Sequence, residues 1–152
     1  MNVRPGVEKD LPAVSAIEKV CFPPEVAFSE QALEHLLRHA LTLVAVDKEV
    51  VGFVAGVVFG KTGKAITLDV HPRCRRRGIG GMLMEALEDE FAALGAKVSL
   101  LEVSSVNQAA LALYSALGYR YVVILEGYYG PGRDAVSMQK CLATDPYQNN
   151  II

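Results

Sequence analysis

A turn rich in arginine and glycine is the stretch of sequence best suited to bind a charged ligand. It follows a β-type run at Ala65–Val70 and precedes an amphipathic helical pattern. Glycine lets an oxyanion approach the backbone without a Cβ in the way, and the first N–H groups of a helix lack partners within it. Neighbouring arginines add forked cationic donors that suit a polyphosphate. The sequence therefore predicts a phosphate site at Arg75, Arg76, Arg77, Gly78, Ile79, Gly80 and Gly81.

Other ligand motifs fit the chain less well. A dinucleotide fingerprint needs a third glycine where Leu83 stands, and it needs a parallel unit, whereas three antiparallel runs precede the turn. A relaxed P-loop pattern ends at Lys61, but its middle is an apolar strand and no helix follows it. His35 and His39 have no third metal ligand at a suitable spacing, so an exposed helix face is the better interpretation.

Glu102 is the acidic residue with the most unusual predicted setting. It shares a strand face with Val98 and Leu100, so it ends an otherwise apolar row. Partial burial of this kind suits a proton acceptor, and the alternative is an ion-paired glutamate at a strand end. Tyr128 and Tyr129 lie beside glycines in the last hairpin, where they either grip an extended peptide or cover a sheet edge.

The composition restricts the class of protein. A chain of 152 residues, 51% hydrophobic with a net charge of -2, fits one domain and disfavours nucleic acid as the main partner. No apolar run approaches the roughly 20 residues of a membrane span, and three widely spaced cysteines form no disulfide framework. We expect a soluble cytoplasmic domain over 1–142 and a loose tail over 143–152. The sequence leaves the oligomeric state open.

The remaining patterns define the elements that position these residues. Asp10 and Ser29 are predicted N-caps of two helices separated by a loop at Phe22–Phe28. Three antiparallel strands follow, at 41–46, 50–59 and 65–70, with turns at 47–49 and 60–64. Gly95 caps the longest helix, whose apolar face is Ile79, Leu83, Leu87, Phe91 and Leu94. The last elements are a strand at 97–103, a helix at 107–117, and strands at 119–126 and 135–142.

This order, β-α-α-β-β-β-α-β-α-β-β, predicts the fold class. We expect an α/β (α+β) domain with a single mixed, mostly antiparallel sheet of about six to seven strands and helices on both faces.

Three segments resemble one family. The stretch Arg75-x-x-Gly78-x-Gly80 resembles the acetyl-CoA pyrophosphate motif of the GNAT acetyltransferases, Arg/Gln-x-x-Gly-x-Gly/Ala. The pattern N-x-x-A-x-x-L-Y-x-x-x-G-Y at 107–119 resembles the family's segment after its fifth strand. The run G-Y-Y at 127–129, with Asp134 and Met138, resembles the C-terminal signature of RimI-type ribosomal-protein alanine N-acetyltransferases and archaeal N-terminal acetyltransferases. The expected element order matches this fold from about residue 3 to 142.

The resemblance implies a direct transfer of acetyl from acetyl-CoA to an amine. Glu102 would accept the amine proton, directly or through water, and Tyr114 would protonate the leaving thiolate; a core position in the helix–sheet interface is the alternative for Tyr114. The glycine turn would hold the pyrophosphate of the coenzyme. The resemblance also implies that the pantetheine arm pairs with the backbone of Leu68, Asp69 and Val70. Asn107 would cap its helix, reach the same arm, or do both.

The acceptor is predicted to be the N-terminus of a protein or peptide, held between Tyr128 and Tyr129 on one side and Phe22 and Phe28 on the other. Phe28 departs from the RimI pattern, in which a tryptophan usually precedes the serine. A peptide α-amine is about one tenth neutral at pH 7, against well under a thousandth for lysine, so a single glutamate base suits the α-amine. The alternatives are a small-molecule amine acetyltransferase and a non-catalytic acyl-CoA-binding regulator.

Overall fold

The computed structural model describes residues 1–142 in two compact units. The predicted tail at 143–152 lies outside the described residues. The first unit comprises Met1–Val57 and Ala65–Glu90, and the second comprises Val58–Lys64 and, as far as it is described, 91–142. In chain order the strands and helices are β1 (Asn2–Pro5), α1 (Leu11–Cys21), α2 (Glu30–His39), β2 (Leu41–Asp47), β3 (Glu49–Phe59), β4 (Thr62–Val70), α3 (Ile79–Ala93), β5 (Val98–Ser104), α4 (Gln108–Ala116), β6 (Arg120–Leu125) and β7 (Ala135–Cys141).

The first unit is an antiparallel sheet with helices packed around an apolar core. β2 pairs with β1 on one side and with β3 on the other, and Lys48 makes the tight turn between β2 and β3 at a φ of 67°. Apolar residues at helical spacing on α1 and α2 meet alternating residues of β2 and β3. The buried cluster that results contains Val14, Ile17, Leu33, Val44 and Phe53.

The second unit is built on β5. The beginning of β4 pairs with it in parallel, Thr62–Lys64 against Val98–Leu100, and β7 pairs with it antiparallel along its whole length. β6 pairs antiparallel with β7. The full strand order is β1-β2-β3-β4-β5-β7-β6, so the predicted mixed, mostly antiparallel sheet and the predicted order of elements are confirmed.

Three local predictions are wrong. β4 begins at Thr62, inside the predicted turn, because Thr62–Lys64 pair in parallel with Val98–Leu100 of β5. Asp10 does not cap α1, since its carboxylate instead accepts from the Val7 N–H at 2.8 Å and pairs with Arg4 at 2.8 Å. Leu94 is exposed because it follows the last residue of α3.

The predicted caps at Ser29 and Gly95 are confirmed. The Ser29 hydroxyl accepts from the Ala32 N–H at 3.1 Å, and Gly95 has a φ of 91° just after α3. Among residues 1–142, no helix combines the length and apolarity that crossing a bilayer requires.

Candidate active site

The glycine turn of the first unit has the backbone of an anion site. Arg76 and Gly78 both take left-handed conformations, with φ of 64° and 80°. No atom lies within 4 Å of the position that a Cβ on Gly78 would occupy, so the backbone there is open. The Met82 N–H bonds to the Gly78 carbonyl at 3.1 Å, which leaves the N–H groups of Ile79, Gly80 and Gly81 as the first turn of α3. These predicted residues therefore come together at a helix N-terminus.

The arginines of this turn do not all face the same way. Arg75 folds back on the end of β4, where its Nε donates to the Val70 carbonyl at 3.1 Å and its Nη2 lies 3.4 Å from the Cys21 sulfur. Arg77 pairs with Asp47 at 2.9 Å, and this guanidinium lowers the pKa of the Asp47 carboxyl. Arg76 is exposed. Two of the predicted phosphate ligands thus already have protein partners.

The end of β4 carries a feature that the sequence prediction missed. The Asp69 side chain is 1% exposed, as is Glu18 on α1, although only the backbone of Leu68, Asp69 and Val70 was expected to act. Burial, followed by the hydrogen bond and the charge of Glu18, raises the pKa of Asp69 to about 9. Glu18 lies four residues after the buried Val14 and three after the buried Ser15, so helical spacing is the sequence signal that predicts its burial.

The predicted acceptor segment Phe22–Phe28 also belongs to the first unit. The Phe22 N–H donates to the Glu18 carbonyl at 3.0 Å, and the Phe28 N–H donates to the Glu18 carboxylate at 2.9 Å. Inside the segment, the N–H groups of Val26 and Ala27 both bond to the Pro23 carbonyl. Glu18 therefore closes the segment at both of its ends.

Glu102 lies on β5 in the second unit, on the strand face that it shares with Val98 and Leu100, as predicted. Its side chain is 13% exposed, and its carboxylate lies 3.2 Å from the ammonium of Lys64. Glu102 is therefore ion-paired, as the alternative interpretation of this residue predicted. An ion pair does not exclude catalysis, because the charged carboxylate is also the form that accepts a proton. No sequence pattern indicates Lys64 as the partner, because its place depends on the parallel register of β4 and β5.

Tyr128 and Tyr129 lie in the loop between β6 and β7, at 49% and 40% exposure. Their rings meet edge to face, with centroids 4.9 Å apart. Gly127, Gly130 and Gly132 all have positive φ and shape the loop, while Asp134 accepts from the Gly127 N–H at 2.9 Å. Burial, then the neighbouring Tyr128 and the charge of Glu102, raises the pKa of Tyr129. The charge of Glu102 thus acts on Tyr129.

Tyr114 and Asn107 are both carried by α4. The side-chain amide oxygen of Asn107 accepts from the Ala110 N–H at 3.1 Å, so the predicted cap is confirmed. Tyr114 is half-buried, and its ring meets the ring of Tyr119 edge-on at 5.9 Å. Tyr119 is the buried tyrosine of this pair, with its hydroxyl 2.7 Å from the Ser99 hydroxyl. Tyr114 thus packs against a buried tyrosine while keeping part of its own surface exposed, and its role as the acid stays a prediction.

Comparison with known proteins identifies the family. The model of the acetyltransferase (GNAT) family matches residues 11–119, which is more than half of the chain. The chain belongs to the GNAT acetyltransferases. Among its GNAT relatives, an uncharacterized N-acetyltransferase of Methanocaldococcus jannaschii is 32% identical over 142 residues, covering 92% of this chain and 91% of the relative. The [ribosomal protein bS18]-alanine N-acetyltransferase of Salmonella typhimurium is 36% identical over 123 residues, covering 79% and 81%.

Solved GNAT structures share the whole fold. The ribosomal-protein-S18-alanine N-acetyltransferase of Escherichia coli superposes with a TM-score of 0.83 at 26% identity, covering 95% of each chain. An aminoglycoside 6'-N-acetyltransferase solved with coenzyme A reaches a TM-score of 0.87 at 20% identity, covering 96% of this chain and 99% of that one. The second likeness establishes the fold alone. The resemblance found in the sequence motifs is confirmed.

Proposed function

We propose that this GNAT acetyltransferase transfers acetyl from acetyl-CoA to the N-terminal α-amine of a protein. The observation that carries the proposal is the 36% identity to the [ribosomal protein bS18]-alanine N-acetyltransferase over 81% of that enzyme. In the second unit, Glu102 and the exposed tyrosine pair provide a base and an aromatic surface. A cytoplasmic location remains part of the proposal, since Cys21, Cys74 and Cys141 are free thiols.

The first unit fits the coenzyme. The open backbone at Gly78, the left-handed Arg76 and the first turn of α3 at Ile79–Gly81 suit a pyrophosphate, which takes its hydrogen bonds from backbone N–H groups. The backbone of Leu68–Val70 would bind the pantetheine amides. In the second unit, Asn107 would offer its side-chain amide to the coenzyme. Acetyl-CoA supplies the activated acetyl thioester. Arg75 and Arg77 support the turn from their present contacts with Val70 and Asp47.

Two residues of the second unit would move protons. The Glu102 carboxylate would accept the proton that the amine loses on attack, and Tyr114 would give a proton to the departing thiolate. An N–H near Val70 in the first unit would stabilise the oxygen on which charge develops. Amine attack on a thioester needs these three roles, and the resemblance to the family assigns them to these residues.

The α-amine is the acceptor that best matches this machinery. At pH 7 about one tenth of a peptide α-amine is neutral, whereas well under a thousandth of lysine side chains are neutral. A single carboxylate therefore suffices for the first and leaves most of the second protonated. In the second unit, the exposed rings of Tyr128 and Tyr129 would contact the peptide behind its first residue. In the first unit, the segment Phe22–Phe28 is likewise proposed to contact the acceptor.

Acetylation of peptides tests the proposal directly. Purified protein with acetyl-CoA and peptides beginning with Ala, Ser or Met should release CoA and gain one acetyl group at the N-terminus, as seen by mass spectrometry. A matched peptide with a blocked N-terminus and a free lysine should react much more slowly. Turnover of polyamines or aminoglycosides with none of any free N-terminus would instead establish a small-molecule acetyltransferase. Binding of CoA without turnover of any amine would establish a non-catalytic regulator.

A further inference from the structure

Two buried carboxyl groups in the first unit, those of Glu18 and Asp69, lie next to each other. Glu18 and Asp69 are each 1% exposed. Among the polar side-chain atoms that the structure describes, Glu18 Oε1 and Asp69 Oδ2 are buried and have no hydrogen-bond donor. A buried acceptor without a donor is costly, and two buried negative charges side by side are costlier still. One added proton removes both problems, because a protonated carboxyl donates to its neighbour.

The electrostatics agree with a shared proton. The pKa of Asp69 is raised to about 9, first by burial and then by the hydrogen bond and charge of Glu18. Two described groups act in the opposite direction: the Thr67 hydroxyl, which donates to Asp69 Oδ1 at 2.7 Å, and the charge of Arg75. Cys21 on α1 also lies near Asp69, and on β3 a Cβ at Gly52 would meet the Asp69 backbone carbonyl. At neutral pH the pair therefore carries one proton and one negative charge.

The backbone of the acceptor segment donates a hydrogen bond to this negatively charged pair. Glu18 Oε2 accepts from the Phe28 N–H at 2.9 Å, and the Glu18 carbonyl accepts from the Phe22 N–H at 3.0 Å. A single residue thus closes the seven-residue segment Phe22–Phe28 at both ends. The hydrogen bond from the Phe28 N–H requires the Glu18 carboxylate to stay in place. The proton that Glu18 shares with Asp69 keeps the carboxylate there.

We propose that Glu18 and Asp69 are a positioning pair that shares one proton and thereby fixes the segment Phe22–Phe28 in the shape that receives the acceptor. When the shared proton is lost, two adjacent negative charges separate, the Glu18 side chain leaves the Phe28 N–H, and the segment opens. The pair acts through the segment and takes no part in the proposed proton transfers. The proposal rests on the proposed function in one respect, since it takes Phe22–Phe28 as part of the acceptor site.

The Michaelis constant for a peptide acceptor, measured between pH 7 and pH 10, tests the pair. In the wild type it should rise about tenfold above pH 9, as expected for the loss of one hydrogen bond to a charged group. In Glu18→Gln the amide donates to Asp69 and its oxygen still accepts from the Phe28 N–H, so this rise should be absent. The ratio of the two enzymes cancels the titration of the peptide amine itself. Equal profiles for wild type and E18Q would overturn the proposal.

A second variant tests whether the titrating group is Asp69. Thr67→Val removes the hydroxyl that lowers the pKa of Asp69, so the alkaline rise in the Michaelis constant should move to higher pH. A purely structural role for Glu18 and Asp69 predicts no such movement. An unchanged midpoint in T67V would exclude Asp69 as the titrating group.

Amide hydrogen exchange by NMR separates this proposal from the proposed function, since it needs no substrate. Relative to E18Q, exchange at Phe28 in the wild type should accelerate beyond the ordinary effect of pH once the pair loses its proton, and the carboxyl carbon of Asp69 should titrate far above pH 4. A chain that acetylates no peptide but shows both signals would refute the function and retain the pair. An Asp69 carboxyl that titrates near pH 4 would refute the pair, whatever the activity.

Discussion

The carboxyl pair of the first unit and Glu102 of the second unit show how a neighbour decides what a buried carboxyl does. Glu102 has the ammonium of Lys64 at 3.2 Å and keeps 13% of its side chain exposed. Glu18 and Asp69 are each 1% exposed, and the neighbour of each carboxyl group is the other carboxyl group. A cation stabilises the charged form of a carboxyl, whereas burial beside a second carboxyl stabilises the protonated form. The first arrangement suits proton transfer during each turnover, and the second suits holding a backbone segment in place.

The largest effect should come from removing the proton-transfer groups of the second unit. Glu102→Gln keeps the shape of the side chain but cannot accept a proton, and Tyr114→Phe removes only a hydroxyl. We expect each change to lower kcat by about 10²- to 10⁴-fold, the usual contribution of a general base or acid. Steady-state kinetics with a peptide acceptor measure the loss.

Calorimetric titration with CoA provides the control for these two variants. Binding of CoA should persist in both, because neither change touches the glycine turn. A Tyr114→Phe enzyme with the wild-type rate would remove Tyr114 from the mechanism, and the same result for Glu102→Gln would leave its ion pair with Lys64 as a structural contact only.

The next effect concerns the stability of the first unit. The pKa of Asp69 is about 9 in the fold and near 4 when unfolded, so between these values the native state holds one proton more than the unfolded chain. The free energy of unfolding should therefore fall with rising pH, by about 1.4 kcal/mol per unit. Ordinary carboxyls are ionised in both states above pH 6 and add no slope. Urea denaturation between pH 6 and pH 8.5 measures it.

Asp69→Asn is the matched variant for this slope. Its amide stays neutral and can donate to Glu18 at every pH, so the decline in stability should disappear while the fold is retained. Parallel curves for the wild type and D69N would show that Asp69 ionises normally in the fold, and the contrast with Glu102 would then be lost.

A smaller effect is expected from the partner of Glu102. Lys64→Gln removes the ammonium 3.2 Å from the carboxylate, and we expect kcat to fall about two- to tenfold, in keeping with a part-buried ion pair. The exposed hairpin residue Lys61 supplies the matched control, Lys61→Gln. In a double-mutant cycle, Lys64→Gln should have no further effect once Glu102→Gln is present. Additive losses would show that Lys64 acts independently of Glu102.

How far sequence patterns predicted this molecule depends on the range of the interactions involved. Periodicity, caps and turn residues act over a few positions, so Ser29, Gly95 and the face of β5 that carries Glu102 were predicted correctly. Contacts between segments that are distant in the chain were not predicted. The pairing of Glu18 with Asp69 spans two elements far apart in the chain, and Lys64 reaches Glu102 only through a parallel strand register. The direction of Arg75, back onto Val70 and Cys21, likewise depends on tertiary packing.

The smallest expected effect compares two helix caps whose hydrogen bonds have the same length, that of Ser29 in the first unit and that of Asn107 in the second. Each accepts a backbone N–H at 3.1 Å, so replacing either by alanine should cost about 1 kcal/mol of stability. Only Asn107 is proposed to contact the coenzyme, through its amide nitrogen. Asn107→Ser keeps a capping oxygen and removes that amide, so it should restore stability relative to Asn107→Ala while CoA affinity stays reduced. Recovery of both properties in Asn107→Ser would mean that Asn107, like Ser29, serves its helix alone.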